Sequence, residues 1–229
     1  MGTKFSTRVW VSVVGIASIF FGSKGYADTV ISVADFGLKP DTRENAVAYV
    51  QKAIEACRGK EPVTLVFPEG RYDFWPQYAH EKNYYETNTY DVFPKRLAML
   101  FEGLHNITVD GNGSQFVMHD RIQPITVENC DGVTLKNFSI DWDIPLTAQA
   151  RVTKVGSDFF EIEINVLESP YIIEDGKLVF VGEGWKSALG SMIEFESDTH
   201  FVVPGTGDLV LGRNWRDYTA VSPRYGIVR

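Results

Sequence analysis

The chain has 229 residues, 44% of them hydrophobic and 23% charged, with a formal net charge of −8. This composition excludes a disordered or fibrous protein. The acidic balance argues against nucleic acid or an anionic membrane surface as a partner. Residues 1–27 are the first element. Lys4 and Arg8 precede an apolar run over residues 9–21, and Gly25 and Ala27 stand at the −3 and −1 places before Asp28. That is the layout of a secretory signal peptide, and the run is too short to span a bilayer comfortably. We expect cleavage after Ala27 and export to the periplasm or beyond, with no membrane attachment afterwards. The segment holds Lys4, Arg8 and Lys24 and no acid, so the mature chain keeps 19 basic and 30 acidic residues, a net −11. A neutral or cationic partner fits that surface better, and a neutral sugar is one option. Export also permits a disulfide, but Cys57 and Cys130 are far apart in sequence and each sits in an apolar pattern. The expectation is two buried free thiols.

Beyond the leader, residues 30–33 read as a short strand. Asp41 with Glu44 has capping-box spacing, and Ala46, Val47, Val50, Ala53, Ile54 and Cys57 recur at helical spacing behind it. Arg58-Gly59-Lys60 closes that helix. Residues 63–67 read as a strand that turns at Pro68-Glu69-Gly70. An aromatic-rich stretch follows, with Trp75, Tyr78, Tyr84, Tyr85, Tyr90 and Phe93 set among polar residues. It suits either a sugar-stacking wall or the anchoring of a long loop.

The most informative pattern spans residues 98–141. Phe101-Glu102-Gly103-Leu104-His105-Asn106-Ile107-Thr108-Val109-Asp110-Gly111 lies over Val127-Glu128-Asn129-Cys130-Asp131-Gly132-Val133-Thr134-Leu135-Lys136-Asn137 at a constant offset of 26 residues. Apolar places match apolar places and turn formers match turn formers. A short β unit repeating at this length is the signature of a β-solenoid, whose coils must stack to bury their inward residues. Those residues would be Ile107, Val109, Val133, Leu135, Phe138 and Ile140. From Ala150 the texture changes to alternating runs over residues 151–155 and 159–164, joined by Gly156-Ser157-Asp158 in a hairpin signature. Further short strands are expected over 177–181, 192–195, 201–203 and 209–211. The boundary falls near 145–149, which divides the mature chain into residues 28–149 and an antiparallel module over 150–229. Two recognisable coils are fewer than a solenoid needs, so the expectation is a piece of a longer protein.

Two stretches carry a family resemblance. Val33-Ala34-Asp35-Phe36-Gly37, the helix behind it, and Val66-Phe67-Pro68-Glu69-Gly70-Arg71-Tyr72 resemble the lead-in of pectate-lyase-like right-handed parallel β-helix enzymes, where a short helix caps the open end and protects its edge. Asn106-Ile107-Thr108-Val109-Asp110-Gly111-Asn112-Gly113 and Phe138-Ser139-Ile140-Asp141-Trp142-Asp143-Ile144-Pro145 resemble glycoside hydrolase family 110. That resemblance implies an all-β protein with a capping helix and an inserted small antiparallel β-barrel. It also implies an exo-acting, inverting, metal-independent α-1,3-galactosidase acting on terminal α-galactosyl glycans, of blood-group-B type or linear, without cofactor. Inversion needs an acid and a base about 6.5–9.5 Å apart. The family carries them on coils after the barrel, so they are expected beyond Arg229 and no catalytic residue is assigned in this chain.

Asp141 and Asp143, at i and i+2 of a strand, share a face with carboxylates roughly 7 Å apart. They would approach a glycosidic bond from one side only, which suits substrate contact better than acid–base work. Trp142 could offer a platform to a pyranose ring. The alternative is that Asp141 and Asp143 only end a strand before Pro145, with Trp142 packed inward or against the module that follows. His119-Asp120-Arg121 reads as a solvated turn, with orientation of a proton donor as the alternative. The four His show no metal-ligand spacing, Gly182-Glu183-Gly184 is too short for a dinucleotide loop, and no Gly-x-Ser-x-Gly elbow is present. Two rivals stand beside the galactosidase reading. One is a pectin-active lyase or polygalacturonase, which would want basic clusters or Ca²⁺; the other is a non-enzymatic glycan-binding β-helix, which would want long uninterrupted repeats.

Overall fold

A computed structural model of the chain describes residues 29–84, 94–204, 209–210, 220–222 and 227–228. The leader and Tyr85, Tyr90, Phe93 and Leu211 lie outside the described residues. Strand β1 (Thr29–Ser32) runs into a 3-10 turn, Val33–Phe36. The capping box sits here rather than at Asp41: the Ser32 hydroxyl accepts from Ala34 N, and the Asp35 carboxylate accepts from Ser32 N. Asp41 has another partner, since its carboxylate accepts from Arg71 N at 2.9 Å. Helix α1 (Val47–Ala56) therefore starts from Asn45, whose side-chain oxygen accepts from Val47 N at 3.1 Å. Val47, Val50, Ala53 and Ile54 give α1 one buried face, and that face joins the same apolar core as β1 and the strands beyond.

Next come β2 (Val63–Val66), β3 (Arg71–Phe74), β4 (His80–Asn83), β5 (Pro94–Glu102), β6 (His105–Met118), β7 (Gln123–Glu128) and β8 (Asp131–Trp142). β1, β2, β6 and β8 pair side by side in parallel, while β3 pairs with the second half of β6. β5 and β7 form a second parallel pair, with β4 antiparallel on β5. The 26-residue offset is the register of this stacking: Phe101 opposes Val127, and Ile107, Thr108 and Val109 oppose Val133, Thr134 and Leu135. The corner between the two sheets repeats with it. Gly103 and Asn129 have φ of 63° and 50°, and Asn106 and Gly132 have 49° and 68°. Gly and Asn interchange because they are the residues that enter left-handed backbone most readily. After Asp110 the register shifts, so that Ser114 opposes Phe138. Gly111 is needed at this step, because a Cβ there would meet the Phe138 Cβ at 2.5 Å. The same register sets Glu102 beside Glu128, and Lys82 Nζ relieves the like-charge contact at 2.8 Å from each.

The core between the sheets is aromatic. Phe67, Phe74 and Phe116 are fully buried, Tyr72 nearly so, and Phe138 stacks on Phe116 with centroids 4.8 Å apart. Ile107 and Val109 are buried as expected, but Leu135 and Ile140 are 39% and 37% exposed, and Val133 and Phe138 are half-buried. The reason is positional: β8 has a strand partner on the β6 side alone among the described residues. Cys57 is buried and its thiol is pushed up to about 11 by burial; Cys130 is half-buried, and both are free.

The remainder is antiparallel. β9 (Ala150–Val155) and β10 (Phe160–Ile164) form the expected hairpin, and β11 (Tyr171–Glu174), β12 (Lys177–Gly182) and β13 (Trp185–Ala188) form a meander. β14 (Ser191–Met192) pairs with β15 (Leu209–Val210), while β16 (Ala220–Ser222) and β17 (Ile227–Val228) extend the β9–β10 sheet. These strands do not close into a barrel among the described residues; they stay in separate sheets. Residues 192–195 and 201–203 contribute little pairing beyond β14, reduced to the single bridge between Phe195 and Val202. The second core is small, with Ile162, Ile164 and Leu178 at its centre. The described residues are mostly β, with one α-helix among them.

Candidate functional site

β3, β6 and β8 end in register, with Phe74, Met118 and Trp142 side by side. The ladder runs one residue further, as His119 N donates to Phe74 O and Asp143 N donates to Met118 O. Alternation turns Tyr72, Phe74, Phe116 and Met118 inward and leaves Arg71, Asp73, Val117, His119, Asp141 and Asp143 on the opposite face. A charged cluster forms there. The Asp73 side chain has no exposed surface, yet it takes Arg71 Nη2 at 2.6 Å and His119 Nε2 at 2.8 Å on one oxygen. Arg71 also reaches Asp143 Oδ1 at 2.8 Å, and Arg43 lies 3.6 Å from the same oxygen. The other ring nitrogen of His119, Nδ1, is 2.5 Å from Glu183 Oε2, on the turn between β12 and β13. Trp75 stacks flat on the His119 ring, 3.7 Å between centroids at 11°.

Burial pushes the Asp73 carboxyl up, but hydrogen bonds from Arg71 and His119 outweigh it and hold the group below its ordinary value. The hydrogen bond to Asp73 likewise raises the Arg71 guanidinium, burial opposes it, and Asp143 adds to the rise. Asp73 is thus a fixed anion beneath the cluster. Asp143, with 36% of its side chain exposed, is the anion that faces solvent.

The expected trio is therefore split. Asp143 joins the cluster. Asp141 accepts from the adjacent Trp142 N at 2.8 Å and has no ion pair with Arg71 or Arg43. Trp142 packs against the large core and donates its indole N–H to Asp120 O at 3.2 Å. The solvated turn expected at 119–121 holds for the exposed Arg121 but is corrected at His119, which is 2% exposed: stacking on Trp75 and two carboxylate contacts draw the ring inside. In the aromatic stretch, Trp75 serves this stack, Tyr84 donates to Glu128, and Tyr78 is exposed. Asp73, Arg71, Arg43 and Glu183 were not singled out from the sequence. Arg71-x-Asp73 on one strand face was the available signal; Glu183 had none. His119, Asp143 and Glu183 are the one group of described residues that brings three metal-capable donor atoms within 4.8 Å of one another, although Arg71 and Arg43 already hold Asp143.

What this mostly-β fold with a charged strand-end cluster is related to follows from two comparisons. Residues 148–229 match the family model described as GLAA-B beta-barrel domain I. The chain is 57% identical over 203 residues to alpha-1,3-galactosidase B of Bacteroides thetaiotaomicron, which covers 89% of this chain and 32% of that protein. It is 36% identical over 169 residues to alpha-1,3-galactosidase A of Shewanella woodyi, 73% of this chain and 28% of that one. It is 36% identical over 205 residues to alpha-1,3-galactosidase B of Phocaeicola vulgatus, 88% and 32% respectively. The chain is a homologue of the bacterial α-1,3-galactosidases, the relationship implied by the segments at 106–113 and 138–145. It spans about a third of the length of these relatives.

Proposed function

We propose that this chain is the N-terminal portion of an exo-acting α-1,3-galactosidase that removes terminal α-1,3-linked galactose from blood-group-B-type or linear glycans with inversion. The observation that carries the reading is the 57% identity over nearly nine-tenths of the chain to a protein bearing that name. The parallel pairing of β1, β2, β6 and β8, the repeated corner and the half-exposed apolar residues of β8 support a right-handed parallel β-helix capped by α1. A further coil would add its strand to the free side of β8. The antiparallel residues from Ala150 are the inserted module. The acid and base lie on residues beyond Arg229, and neither metal nor cofactor takes part. Residues 1–27 act as a cleaved leader that exports the protein.

Substrate contact in this chain falls to Asp143, flanked by Asp141 and Trp142. A half-exposed carboxylate held by two arginines can accept from sugar hydroxyls without reorienting. The test is to incubate the full-length protein with an α-1,3-linked galactobiose and follow the anomeric protons by NMR. Inversion delivers β-galactose first. Release of α-galactose first, or activity on polygalacturonate in place of the disaccharide, contradicts the reading.

A further inference from the structure

His119 sits where the two regions of the chain meet. The turn between β12 and β13 brings Glu183 onto its Nδ1. Gly184, at φ +72°, approaches the Asp120 carboxylate so closely that a Cβ would collide with it. Arg121 lies over the Trp185 ring at 5.8 Å. On the opposite side, Nε2 meets the buried Asp73. An ionised carboxylate can only accept, and a neutral imidazole has one N–H. For both contacts to be hydrogen bonds, the His119–Glu183 pair must carry one proton more than a neutral ring beside a carboxylate. Asp73 cannot supply it, since Arg71 and the ring hold it ionised.

We propose that His119 and Glu183 form a proton-dependent latch that fixes the 182–185 turn of the antiparallel module onto the charged cluster. With the proton bound, Nδ1–H donates to Glu183 and the turn is docked. When the proton leaves to solvent, past the 39%-exposed Glu183 side chain, the Nδ1 lone pair faces a carboxylate and the contact opens. The other charges facing the ring are Asp73 and Arg71 from β3, Asp143 after β8, Arg43 before α1, and Asp120 and Arg121 beside it. The docked form binds one more proton than the open form. Its population therefore falls as pH rises, and the latch equilibrium changes about tenfold per pH unit once the ring is neutral.

The experiment is amide hydrogen exchange at Glu183, Gly184 and Trp185 in the intact protein from pH 5.5 to 9, corrected for intrinsic base catalysis, with His119 ring nitrogens followed by ¹⁵N NMR. We expect protection that declines as Nδ1 loses its proton. In Glu183→Gln the amide can donate to a neutral Nδ1, so protection should persist and lose its pH dependence; in Glu183→Ala it should be low throughout. Equal protection at both ends of the range in the wild type would overturn the latch, as would an unchanged pH dependence in Glu183→Gln. So would protection at low pH that a chelator abolishes and stoichiometric Zn²⁺ restores, because the triad would then be a cation site.

Discussion

The parallel strands and the antiparallel strands are built from similar residues but hold together differently. Among the described residues of 29–142, every strand but β4 lies in parallel on another, and the inward side chains of several segments merge into one core around Phe67, Phe74, Phe101 and Phe116. In the antiparallel residues, short sheets meet over Ile162, Ile164 and Leu178, while Val152, Val155, Leu167 and Phe201 stay 51–86% exposed. The lesson is that stacking in register multiplies burial, whereas small antiparallel sheets bury one face each and lean on their neighbours. The charged cluster reflects the same difference. Asp73, Arg71, His119 and Asp143 are fixed by the parallel register, and Glu183 reaches them from the antiparallel side across a turn.

Phe116→Ala should break the comparison most sharply. It removes a ring that meets Phe67, Tyr72, Phe74 and Phe138, at a cost of about 3–5 kcal/mol. Urea unfolding should show the loss in the parallel strands first. Asp73→Ala comes next, at roughly 3 kcal/mol, because it strands Arg71 and the buried His119. The sign with pH is set by the lowered Asp73 value. Its contribution is complete above the ordinary carboxylate value of 3.8 and is lost as pH falls through the depressed one. An acid titration of Asp73→Asn should therefore lack that final loss of stability. Ile162→Ala should cost about 2 kcal/mol, at the low end for a core truncation, because the small core can collapse around the gap. Peptide-resolved hydrogen exchange should confine its effect to the antiparallel strands. Asn129→Gly should change stability by only a few tenths of a kcal/mol, since its repeat partner Gly103 already takes that left-handed corner.

Much of the parallel architecture was legible in the sequence because a repeat writes its register into residue spacing. Ile107 and Val133 are 26 apart in the chain and opposite in the sheet. Local signals were less secure. Asp41 had the spacing of a cap, but its carboxylate serves Arg71 N, a partner 30 residues away. The cluster was the least visible part. His119 meets Asp73 across 46 residues and Glu183 across 64, and neither separation belongs to the repeat. Flanking turn formers suggested a solvated His119, and only the stack with Trp75 shows why it is buried. Asp143 could be named because it lies beside a strand end; Arg71 and Arg43, which orient it, could not.

The galactosidase reading assigns one side chain of this region to the sugar, and that assignment is open to a single kinetic comparison. Asp143→Asn in the full-length protein should raise KM for an α-1,3-linked galactobiose by roughly 10- to 100-fold, the loss of one charge-assisted hydrogen bond. Its Tm should move little, because the carboxylate is half-exposed. An unchanged KM at full kcat would contradict the account and leave Asp143 an ion-pair residue alone.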